Sequence, residues 1–370
     1  MKTEKRAPKY SLAGEIFTTL RREILSGKFS INDKFPSEQM LMRRFDAART
    51  TVRIALSRLK DDGILETRNG SGTYLSAIAR RMSGRLGLIV PHVVGGELSS
   101  PICNEIMRAA KDAGFTVLFG DAAYANDEDR ARRYLTLAWD YVAQNVAGVF
   151  IEPIELVKDA SAVTKRVISF LNDHEIPVIL LDRDIVQPPE RSGYDVISID
   201  NVQIGYRLAS HLIARGARRI CLFARPDSAP TVKLRFEGAR EALLDHGHKL
   251  TSDTICYAQP DDLKAIARLF RQRTPPDAFL CANDITAITL LKTLDQLKKN
   301  VPQDVLVTGV DDVSLAEQAT PPLTTVRQPC HEIARAAVAA MLQRLRNPAL
   351  PPRQILLEAP LVERDSTQRH

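Results

Sequence analysis

The chain has 370 residues, of which 44% are hydrophobic and 26% are charged, and this composition excludes a disordered tail, a collagen-like fibre and a coiled coil. No apolar run approaches the ~18 residues that a transmembrane helix needs, and no signal-peptide core follows the basic start, so we expect a cytoplasmic protein without a membrane segment. The net charge of +6 is uneven, because residues 1–85 hold 18 Lys and Arg against nine Asp and Glu, a pattern that is typical of a module that meets a polyanion.

Apolar residues at helical spacing predict three helices within the first 62 residues. The first helix carries one apolar stripe, formed by Leu12, Ile16, Leu20 and Ile24. The second helix begins after Pro36 with Ser37 as a good N-cap, and its predicted buried residues are Met40, Leu41 and Phe45. The third helix is predicted from Arg49 to Asp62, and Gly63 follows it at the position that usually requires a positive φ.

Two short strands follow the third helix, over residues 64–67 and 73–75, and enclose a Gly-rich tip that contains Asn69 and Gly70. Three helices and a β-hairpin in this order predict a winged helix-turn-helix domain. The exposed start of the third helix carries Arg49, Thr50, Thr51 and Arg53. Guanidinium groups there can contact phosphates or guanine edges, although the same residues alone are compatible with an ordinary solvated surface. Their combination with a wing favours binding to double-stranded DNA.

Several spaced motifs of this segment occur in the same order in one known family. They are Pro36-Ser37-Glu38, Phe45, Arg49-Thr50-Thr51-Val52-Arg53, Ala55-Leu56, Leu59, Gly63 and Gly70-x-Gly72-Thr73-Tyr74. These motifs resemble the DNA-binding domain of GntR-type bacterial transcription regulators. The resemblance implies operator contacts from the second helix, the recognition helix and the wing tip, and the candidate residues are Ser37, Gln39, Arg49, Thr50, Thr51, Arg53, Asn69 and Gly70. Two departures, Gln39 for the usual Arg and Ala48 for the usual Ser or Thr, remove a polar contact and an N-cap, so we expect operator affinity to differ from the family norm.

From residue 86 onward, short apolar runs alternate with amphipathic stretches. The runs cover residues 86–90, 116–119, 148–151, 178–181, 196–199, 220–224, 278–281 and 305–310. The helical stretches between them cover residues 102–113, 129–144, 163–174, 204–215, 234–246 and 285–297. This alternation predicts parallel sheets that are buried on both faces, and the number of units favours two doubly wound α/β lobes over one sheet.

The predicted organisation is therefore multi-domain. A winged helix-turn-helix domain over residues 1–76 is joined by a linker, 77–84, to an effector-binding domain over 85–365. The first lobe of that domain is expected over about 85–190 and 328–350. The second is expected over about 191–327 and 351–365.

Polar residues directly follow many of the predicted strands. They include Glu152, Asp182-Arg183, Asp200-Asn201, Arg225, Asn283-Asp284 and Asp311-Asp312. In doubly wound sheets such positions face the crevice in which ligands bind, and carboxylate, amide and guanidinium groups suit a ligand rich in hydroxyls. For any single position the alternative is a helix N-cap. The repetition at so many strand ends favours a binding site.

Further motifs run through residues 85–365. They are Leu86-Gly87-Leu88-Ile89-Val90-Pro91, Leu181-Asp182-Arg183, Asp200-Asn201, Arg235-Phe236-x-Gly238, Ala282-Asn283-Asp284, Gly309-Val310-Asp311-Asp312 and residues 323–329. They resemble the effector domain of LacI/GalR-type repressors, which is similar to periplasmic sugar-binding proteins. The resemblance implies that sugar hydroxyls are held by Asp182, Arg235, Asn283 and Asp311, with Arg183 and Gln328 as further candidates. Residues 99–102 depart from the pattern because they lack an aromatic ring to stack on a sugar, and the mid-helix Trp139 is predicted to lie in the core or in a subunit interface.

An enzyme and a transport protein are the alternatives from other functional classes. The chain has neither G-x-G-x-x-G after a strand nor the G-x-x-x-x-G-K-[S/T] phosphate loop, and it has no G-x-S-x-G elbow. Five single cysteines without a C-x-x-C pair predict free thiols and argue against structural zinc. A sugar-binding transport protein would carry an export signal and would have no use for a basic front domain. We therefore expect no catalytic residue, no metal and no cofactor.

The predicted function is ligand-controlled transcription regulation. A GntR-type domain joined to a LacI-type effector domain is similar to the arabinose-repressor-like subgroup. The expected protein is a homodimer that represses a carbohydrate-utilisation operon and is released from double-stranded operator DNA by a sugar or sugar derivative. A non-sugar metabolite, corepression and activation stay open as alternatives.

Overall fold

The computed structural model describes residues 12–25, 28–29, 34–68, 71–76, 79, 84–90, 101–121, 127–155, 160–251 and 254–369. Within these ranges, no helix is both long enough and apolar enough to cross a bilayer. The five cysteines are free thiols, as the sequence predicts.

The amino-terminal domain has the predicted three helices and hairpin. Its elements are α1 (Leu12–Leu25), α2 (Glu38–Phe45), α3 (Arg49–Asp61), β1 (Leu65–Arg68) and β2 (Gly72–Leu75). The two strands pair antiparallel with Leu65 opposite Leu75. Ser37 caps α2 by accepting a hydrogen bond from the Met40 amide at 3.3 Å, and Gly63 after α3 has φ 70°. Local capping and turn chemistry thus define the start of α2 and the end of α3.

The core of this domain is formed by the inward faces of all three helices and the hairpin. It includes Ile16, Leu20, Ile24, Leu41, Val52, Ala55, Leu56, Leu59 and Leu75. Two predicted core residues lie outside it, since Met40 is 61% exposed and Leu12 is 46% exposed. On the short helix α2, Leu41 and Phe45 are four residues apart and define the inner face, so Met40 is rotated towards solvent. Leu12 is the first residue of α1.

The body contains a six-stranded parallel sheet with the order β13-β7-β6-β5-β3-β4. Its strands are β3 (Arg85–Val90), β4 (Thr116–Asp121), β5 (Gly148–Ile151), β6 (Val178–Leu181), β7 (Asp195–Ile199) and β13 (Gln354–Leu357). Its helices are α4 (Pro101–Asp112), α5 (Asp127–Ala143), α6 (Ala160–Asp173) and α12 (Cys330–Arg346). Side chains of α4 and α12 belong to one hydrophobic cluster and those of α5 and α6 to another, so the sheet is covered on both faces.

A second, four-stranded parallel sheet has the order β11-β10-β8-β9. Its strands are β8 (Ile220–Ala224), β9 (Ile255–Tyr257), β10 (Ala278–Cys281) and β11 (Leu306–Thr308). Its helices are α7 (Asn201–Ala214), α8 (Pro230–Asp245), α9 (Leu263–Leu269), α10 (Asp284–Gln296) and α11 (Ser314–Gln318). The short strands β12 (Thr325–Val326) and β14 (Leu361–Val362) pair antiparallel, and a 3-10 turn spans Asp365–Thr367.

Sheet membership differs from the predicted lobe boundaries. Strands β7 and β13, which the sequence places in the second lobe, belong to the six-stranded sheet, where they pair in parallel. The cause is long-range, because the buried carboxylate of Asp195 at the start of β7 binds Arg344 at 2.8 Å and Arg353 at 3.2 Å. Removing either arginine would leave a buried charge without full compensation. The chain therefore crosses to the second sheet after β7, at residues 199–201.

Helices α7 and α8 approach each other closely at two glycines. A Cβ atom added to Gly205 would lie 1.7 Å from the main-chain oxygen of Arg235, and one added to Gly238 would lie 1.9 Å from that of Val202. Both obstacles are backbone atoms, so neither can move away by a side-chain rotation. The glycine pair thus determines how α8 sits on α7.

Gly238→Ala is expected to lower the free energy of unfolding by about 1–3 kcal/mol, because the two helices must separate to admit the methyl group. Urea unfolding of the full chain measures the change. Leu244→Ala on the exposed side of the same helix is the matched control, and we expect it to stay within about 0.5 kcal/mol of the original protein. Equal effects of the two substitutions would contradict the close-approach argument.

Trp139 lies on the surface of the six-stranded lobe. It is 63% exposed, and its ring contacts that of Phe170 with centroids 4.7 Å apart. Its neighbours Tyr134 and Tyr141 are buried. The prediction of a core position for Trp139 is therefore wrong, and its place in a subunit interface stays a prediction.

Candidate functional site

The predicted DNA-reading side chains lie together on the first two turns of α3. Arg49 and Arg53 are both well exposed, at 70% and 68% of their side chains. Thr50 is exposed and Thr51 is half-buried beside them. The N-cap of this helix is Ala48, which has no side-chain oxygen to accept a hydrogen bond. The amino end of the helix therefore keeps free amide donors that suit a phosphate.

Glu38 connects this surface to the start of α2. Its carboxylate accepts from Nε of Arg49 at 2.9 Å and lies 3.6 Å from Nε of Arg53. Both guanidinium groups are therefore held at the same edge of the domain while the protein is free of DNA. The sequence motif contains Glu38 but does not reveal this role, because the pairing joins residues on two helices.

A groove of about 530 Å³ runs between α3 and the base of the wing. Its lining includes Lys34, Ser37, Glu38, Arg53, Lys60, Gly72 and Thr73. Ser37 contributes its hydroxyl to the helix cap, and Gln39 is exposed in the first turn of α2. Asn69 and Gly70, the predicted wing-tip contacts, lie outside the described residues.

The predicted effector residues Asp182 and Arg183 directly follow strand β6. Arg183 is buried, and its Nε donates to the main-chain oxygen of Pro153 at 2.8 Å. Its other nitrogens contact Asp182 at 2.5 Å, Glu152 at 3.2 Å and Glu155 at 3.8 Å. Asp182 has φ 66°, a conformation that costs an L-residue about 1–3 kcal/mol and that is concentrated at functional sites. The end of β6 is thus a dense cluster of one cation and three carboxylates.

Burial raises the pKa of Glu152 to about 7, and the negative charges of Asp182 and Glu155 add to this rise while Arg183 opposes it. Burial lowers the pKa of Arg183, but the negative charges of Glu155, Asp182 and Glu152 outweigh this effect and raise the pKa. Glu152 is a predicted site residue because it follows a strand, whereas Glu155 is not predicted from the sequence. That residue lies four positions after its strand, where no pattern distinguishes it from loop.

On the second sheet, Arg235 extends from α8 into the same region. Its Nε and Nη2 donate to Oδ1 of Asn201 at 3.2 and 2.6 Å, and its Nη1 donates to the main-chain oxygen of Ala282. Burial lowers the pKa of Arg235, against the attraction of Asp311 and Asp182. Carboxylates from both sheets thus act electrostatically on one buried guanidinium group.

Asp311 follows strand β11 and has φ 118°, which is rare for any residue except glycine. Its Oδ1 accepts from Nε2 of Gln328 at 2.7 Å. Burial, together with the charge of Asp284, raises the pKa of Asp311 to about 8, although Arg235 and Gln328 oppose the rise. Gln328 lies between β12 and α12, where the chain returns to the first sheet.

The raised pKa of Asp311 predicts a pH dependence of stability. An unfolded aspartate has a pKa of about 3.9, so between that value and about 8 the folded chain binds the extra proton. This contribution to stability is therefore complete below the unfolded pKa, falls as the pH rises towards 8 and is lost above that value. We expect the thermal midpoint to fall between about pH 6 and 8 and to level off above 8, and Asp311→Asn to reduce that fall. An unchanged pH dependence in the variant would contradict the assignment.

Asn283 is the N-cap of α10, and its Oδ1 accepts from the Thr286 amide at 2.9 Å. The oxygen of Asn283 therefore acts as a helix N-cap, which is the alternative role for a polar residue at a strand end. Its Nδ2 is the group that would donate a hydrogen bond to a ligand. The adjacent Asp284 is buried and accepts from the Thr325 hydroxyl at 2.6 Å and from the Val313 amide at 3.0 Å. Asp200 likewise caps α7 through Gln203.

A cleft of about 530 Å³ separates the two sheets next to Arg183. The lining residues 153–155, 160, 161, 164, 165 and 183–190 lie on one side, and residues 227–230 lie on the other. Of the predicted effector residues, Arg183 lines this cleft, and the charges of Asp182 and Asp311 act on the buried Arg235. Such a cleft can hold a polar ligand that contacts both lobes at once.

Two family models match the chain. The model described as "Bacterial regulatory proteins, gntR family" matches residues 12–75, and the "Periplasmic binding protein-like domain" matches residues 209–367. Both matches agree with the resemblances inferred from the motifs, and they confirm the predicted fold class.

Similar proteins cover most or all of the chain. The arabinose metabolism transcriptional repressor of Geobacillus stearothermophilus is 28% identical over 99% of both chains. The transcriptional repressor CytR of Escherichia coli (strain K12) is 25% identical over 79% of this chain and 81% of its own. The solved structure of a transcriptional regulator CelR–cellobiose complex has a TM-score of 0.65 at 22% identity, over 97% of this chain and 100% of its own, which shows a shared fold.

These relatives are transcriptional regulators and not enzymes, in line with the prediction from the missing catalytic motifs. The order of the two matched domains agrees with the order of the observed folds. The chain is therefore a transcriptional regulator that consists of a GntR-type helix-turn-helix domain and a periplasmic-binding-protein-like effector domain of the LacI type.

Proposed function

We propose that this regulator represses a carbohydrate-utilisation operon and leaves its operator when a sugar or sugar derivative binds between the two lobes. The observation that carries the proposal is that the carboxylates of Asp182, from one sheet, and Asp311, from the other, interact electrostatically with the buried Arg235. Carboxylates accept from hydroxyl pairs and guanidinium groups donate in a fork, so this set suits a polyhydroxyl ligand. We propose Asn283 and Gln328 as further ligand contacts.

The names of the relatives support a carbohydrate ligand. An arabinose metabolism repressor matches the full length, and the ribose operon repressor of Escherichia coli (strain K12) is 27% identical over 79% of this chain. The cleft residues 153–155, 160, 161, 164 and 165 lie opposite residues 227–230. In this proposal the two lobes have an open and a closed arrangement. A ligand that contacts both lobes favours the closed arrangement, to an extent set by the difference between its affinities for the two arrangements.

The operator is read by the surface around Arg49 and Arg53. We propose that Ser37, Gln39, Thr50 and Thr51 contact phosphates or bases beside them, with Asn69 and Gly70 at the wing tip. Two such surfaces in a homodimer would match the two half-sites of a palindrome. In this proposal residues 1–76 form the DNA-binding unit and residues 85–365 form the sensor, and the protein acts in the cytoplasm.

A thermal-shift screen of the full chain tests the ligand class. L-arabinose, D-ribose and cellobiose represent sugars, and adenine and uracil represent nucleobases. At 100-fold excess over Kd a bound ligand contributes about 2.7 kcal/mol, which raises the midpoint by several degrees. A shift with nucleobases and with no sugar would replace the carbohydrate proposal by a non-sugar effector.

Selection of bound fragments from genomic DNA tests the regulatory part. We expect a palindromic site with two half-sites, and we expect the active sugar to weaken binding to it. Tighter operator binding in the presence of that sugar would assign corepression instead of induction.

A further inference from the structure

The amide of Asn201 lies at the crossing between the two sheets. Asn201 is the first residue of α7, directly after strand β7, and it is 3% exposed. None of the motifs that imply ligand contacts assigns a role to it. Its two amide atoms nevertheless face groups that belong to different lobes.

The oxygen of Asn201 holds Arg235. It accepts from Nη2 at 2.6 Å and from Nε at 3.2 Å, so it occupies two donors on one edge of the guanidinium group. The remaining Nη1 donates to the main-chain oxygen of Ala282. Every bond of Arg235 in the described part of the chain is thus made to a neutral oxygen.

The nitrogen of Asn201 is bound on the side of the first sheet. It donates to the main-chain oxygen of Ile199 at 3.1 Å and lies 3.5 Å from the hydroxyl of Ser198. That hydroxyl in turn donates to the main-chain oxygen of Asp182. A continuous series of buried polar contacts therefore runs from Asp182 through Ser198 and Asn201 to Arg235.

This arrangement has a consequence for the carboxylates of the cleft. A buried guanidinium group without acceptors is costly. Without the Asn201 oxygen, Arg235 would turn towards the carboxylates that attract it, which are those of Asp311 and Asp182. Asp182 already accepts from Arg183 and Asp311 from Gln328, so a pair with Arg235 would occupy acceptor positions that remain for a ligand. By satisfying Arg235, the neutral amide leaves those remaining positions available.

The backbone reinforces the same geometry. At Gly205, one turn after Asn201, α7 comes so close to the main-chain oxygen of Arg235 that a Cβ would lie 1.7 Å from it. The close approach brings the start of α7 within reach of the Arg235 side chain. Asn201 and Arg235 are thus held together by main chain as well as by side chain.

We propose that Asn201 is a positioning residue for effector binding: it holds Arg235 in place across the lobe crossing and keeps this guanidinium group from pairing with Asp182 and Asp311. The expected effect on ligand affinity rests on the proposed function. The position of Arg235 does not depend on which ligand binds. Asn201 acts through Arg235 and itself makes no contact with the ligand.

Crystal structures of ligand-free full-length variants test the positioning directly. In Asn201→Ala we expect the guanidinium group of Arg235 to leave its place and to pair with Asp182 or Asp311. The matched control is Asp200→Ala, which removes the neighbouring side chain that caps the same helix through Gln203 and should leave Arg235 in place. An unmoved Arg235 in Asn201→Ala would overturn the proposal whatever the effector is.

Binding of L-arabinose, D-ribose and cellobiose to the same variants tests the consequence. For the sugar that shifts the original protein, Asn201→Ala should weaken binding about tenfold or more, and Asp200→Ala should change it less than about threefold. Asn201→Asp retains an acceptor oxygen for Arg235 and should recover most of the loss, which a purely structural role would not predict. Equal losses in Asn201→Ala and Asp200→Ala would reject the positioning role. If none of the three sugars binds, the sugar proposal fails separately, because the crystal structures still decide the place of Arg235.

Discussion

Replacing Arg53 with alanine is expected to abolish specific operator binding while leaving the ligand-induced thermal shift unchanged. The Arg53 guanidinium group is exposed on the second turn of α3 and is held near Glu38, beside the groove at the base of the wing. A bidentate base contact is worth about 1–3 kcal/mol, and a two-fold dimer loses it twice. The combined loss of about 2–6 kcal/mol corresponds to a reduction in affinity of about 30-fold to 10⁴-fold. Fluorescence anisotropy with operator DNA at one fixed salt concentration measures it.

The control for this substitution is Arg22→Ala. Arg22 is an exposed arginine near the end of α1, away from the groove that contains Arg53. Its loss removes the same charge and should produce only the modest, salt-dependent weakening that follows from one phosphate interaction at most. If Arg53→Ala and Arg22→Ala weaken operator binding equally, the contribution of Arg53 is general charge and not base recognition.

Asp182→Ala is expected to do the reverse, weakening effector binding about 10- to 150-fold and retaining operator binding. The lost group is a carboxylate acceptor, and hydrogen bonds to charged groups contribute about 1.5–3 kcal/mol. Its neighbour Arg183 still has Glu152, Glu155 and the main-chain oxygen of Pro153 as partners. The buried guanidinium group is therefore not left unpaired, and the fold should persist. Calorimetric titration with the active sugar from the thermal-shift screen measures the loss.

Asp173→Ala is the corresponding control, because Asp173 is an exposed carboxylate at the end of α6. We expect it to change neither activity. Loss of operator binding in Asp182→Ala without ligand would show that Asp182 supports the fold or the assembly, and it would remove the argument for a dedicated sensing role.

The arginine–carboxylate pairs around Glu38 and those around Arg183 have different roles. In the DNA-binding domain, Glu38 holds two exposed arginines in a position from which DNA can displace the carboxylate, because surface ion pairs are weak. In the cleft, Arg183 is buried among carboxylates and cannot exchange partners cheaply. The first arrangement therefore suits reversible contact with phosphates and bases, and the second suits a rigid ligand site.

Much of the fold was predictable because its signals are local. Ser37 and Gly63 mark helix ends through their own backbone preferences, and the apolar stripes of α1 and α3 report burial directly. The alternating runs of the body predict its strands to within a few residues, from Arg85–Val90 to Ala278–Cys281. The repeated polar residues at strand ends likewise predict a ligand site that contains Asp182 and Asp311, and this site stays a prediction. Met40 shows the limit of this approach, because a short helix carries too few residues to define its inner face.

By itself the sequence determined the two kinds of domain, their order and the residue types of the candidate site, since all of these follow from short-range patterns of burial, capping and charge. The tertiary structure alone decided that β7 and β13 belong to the six-stranded sheet, that Glu38 joins Arg49 to Arg53, and that Asn201 holds Arg235. Each of these depends on which distant segments meet. A periodic pattern reports that a side chain is buried or exposed, but it contains no information about the partner that covers it.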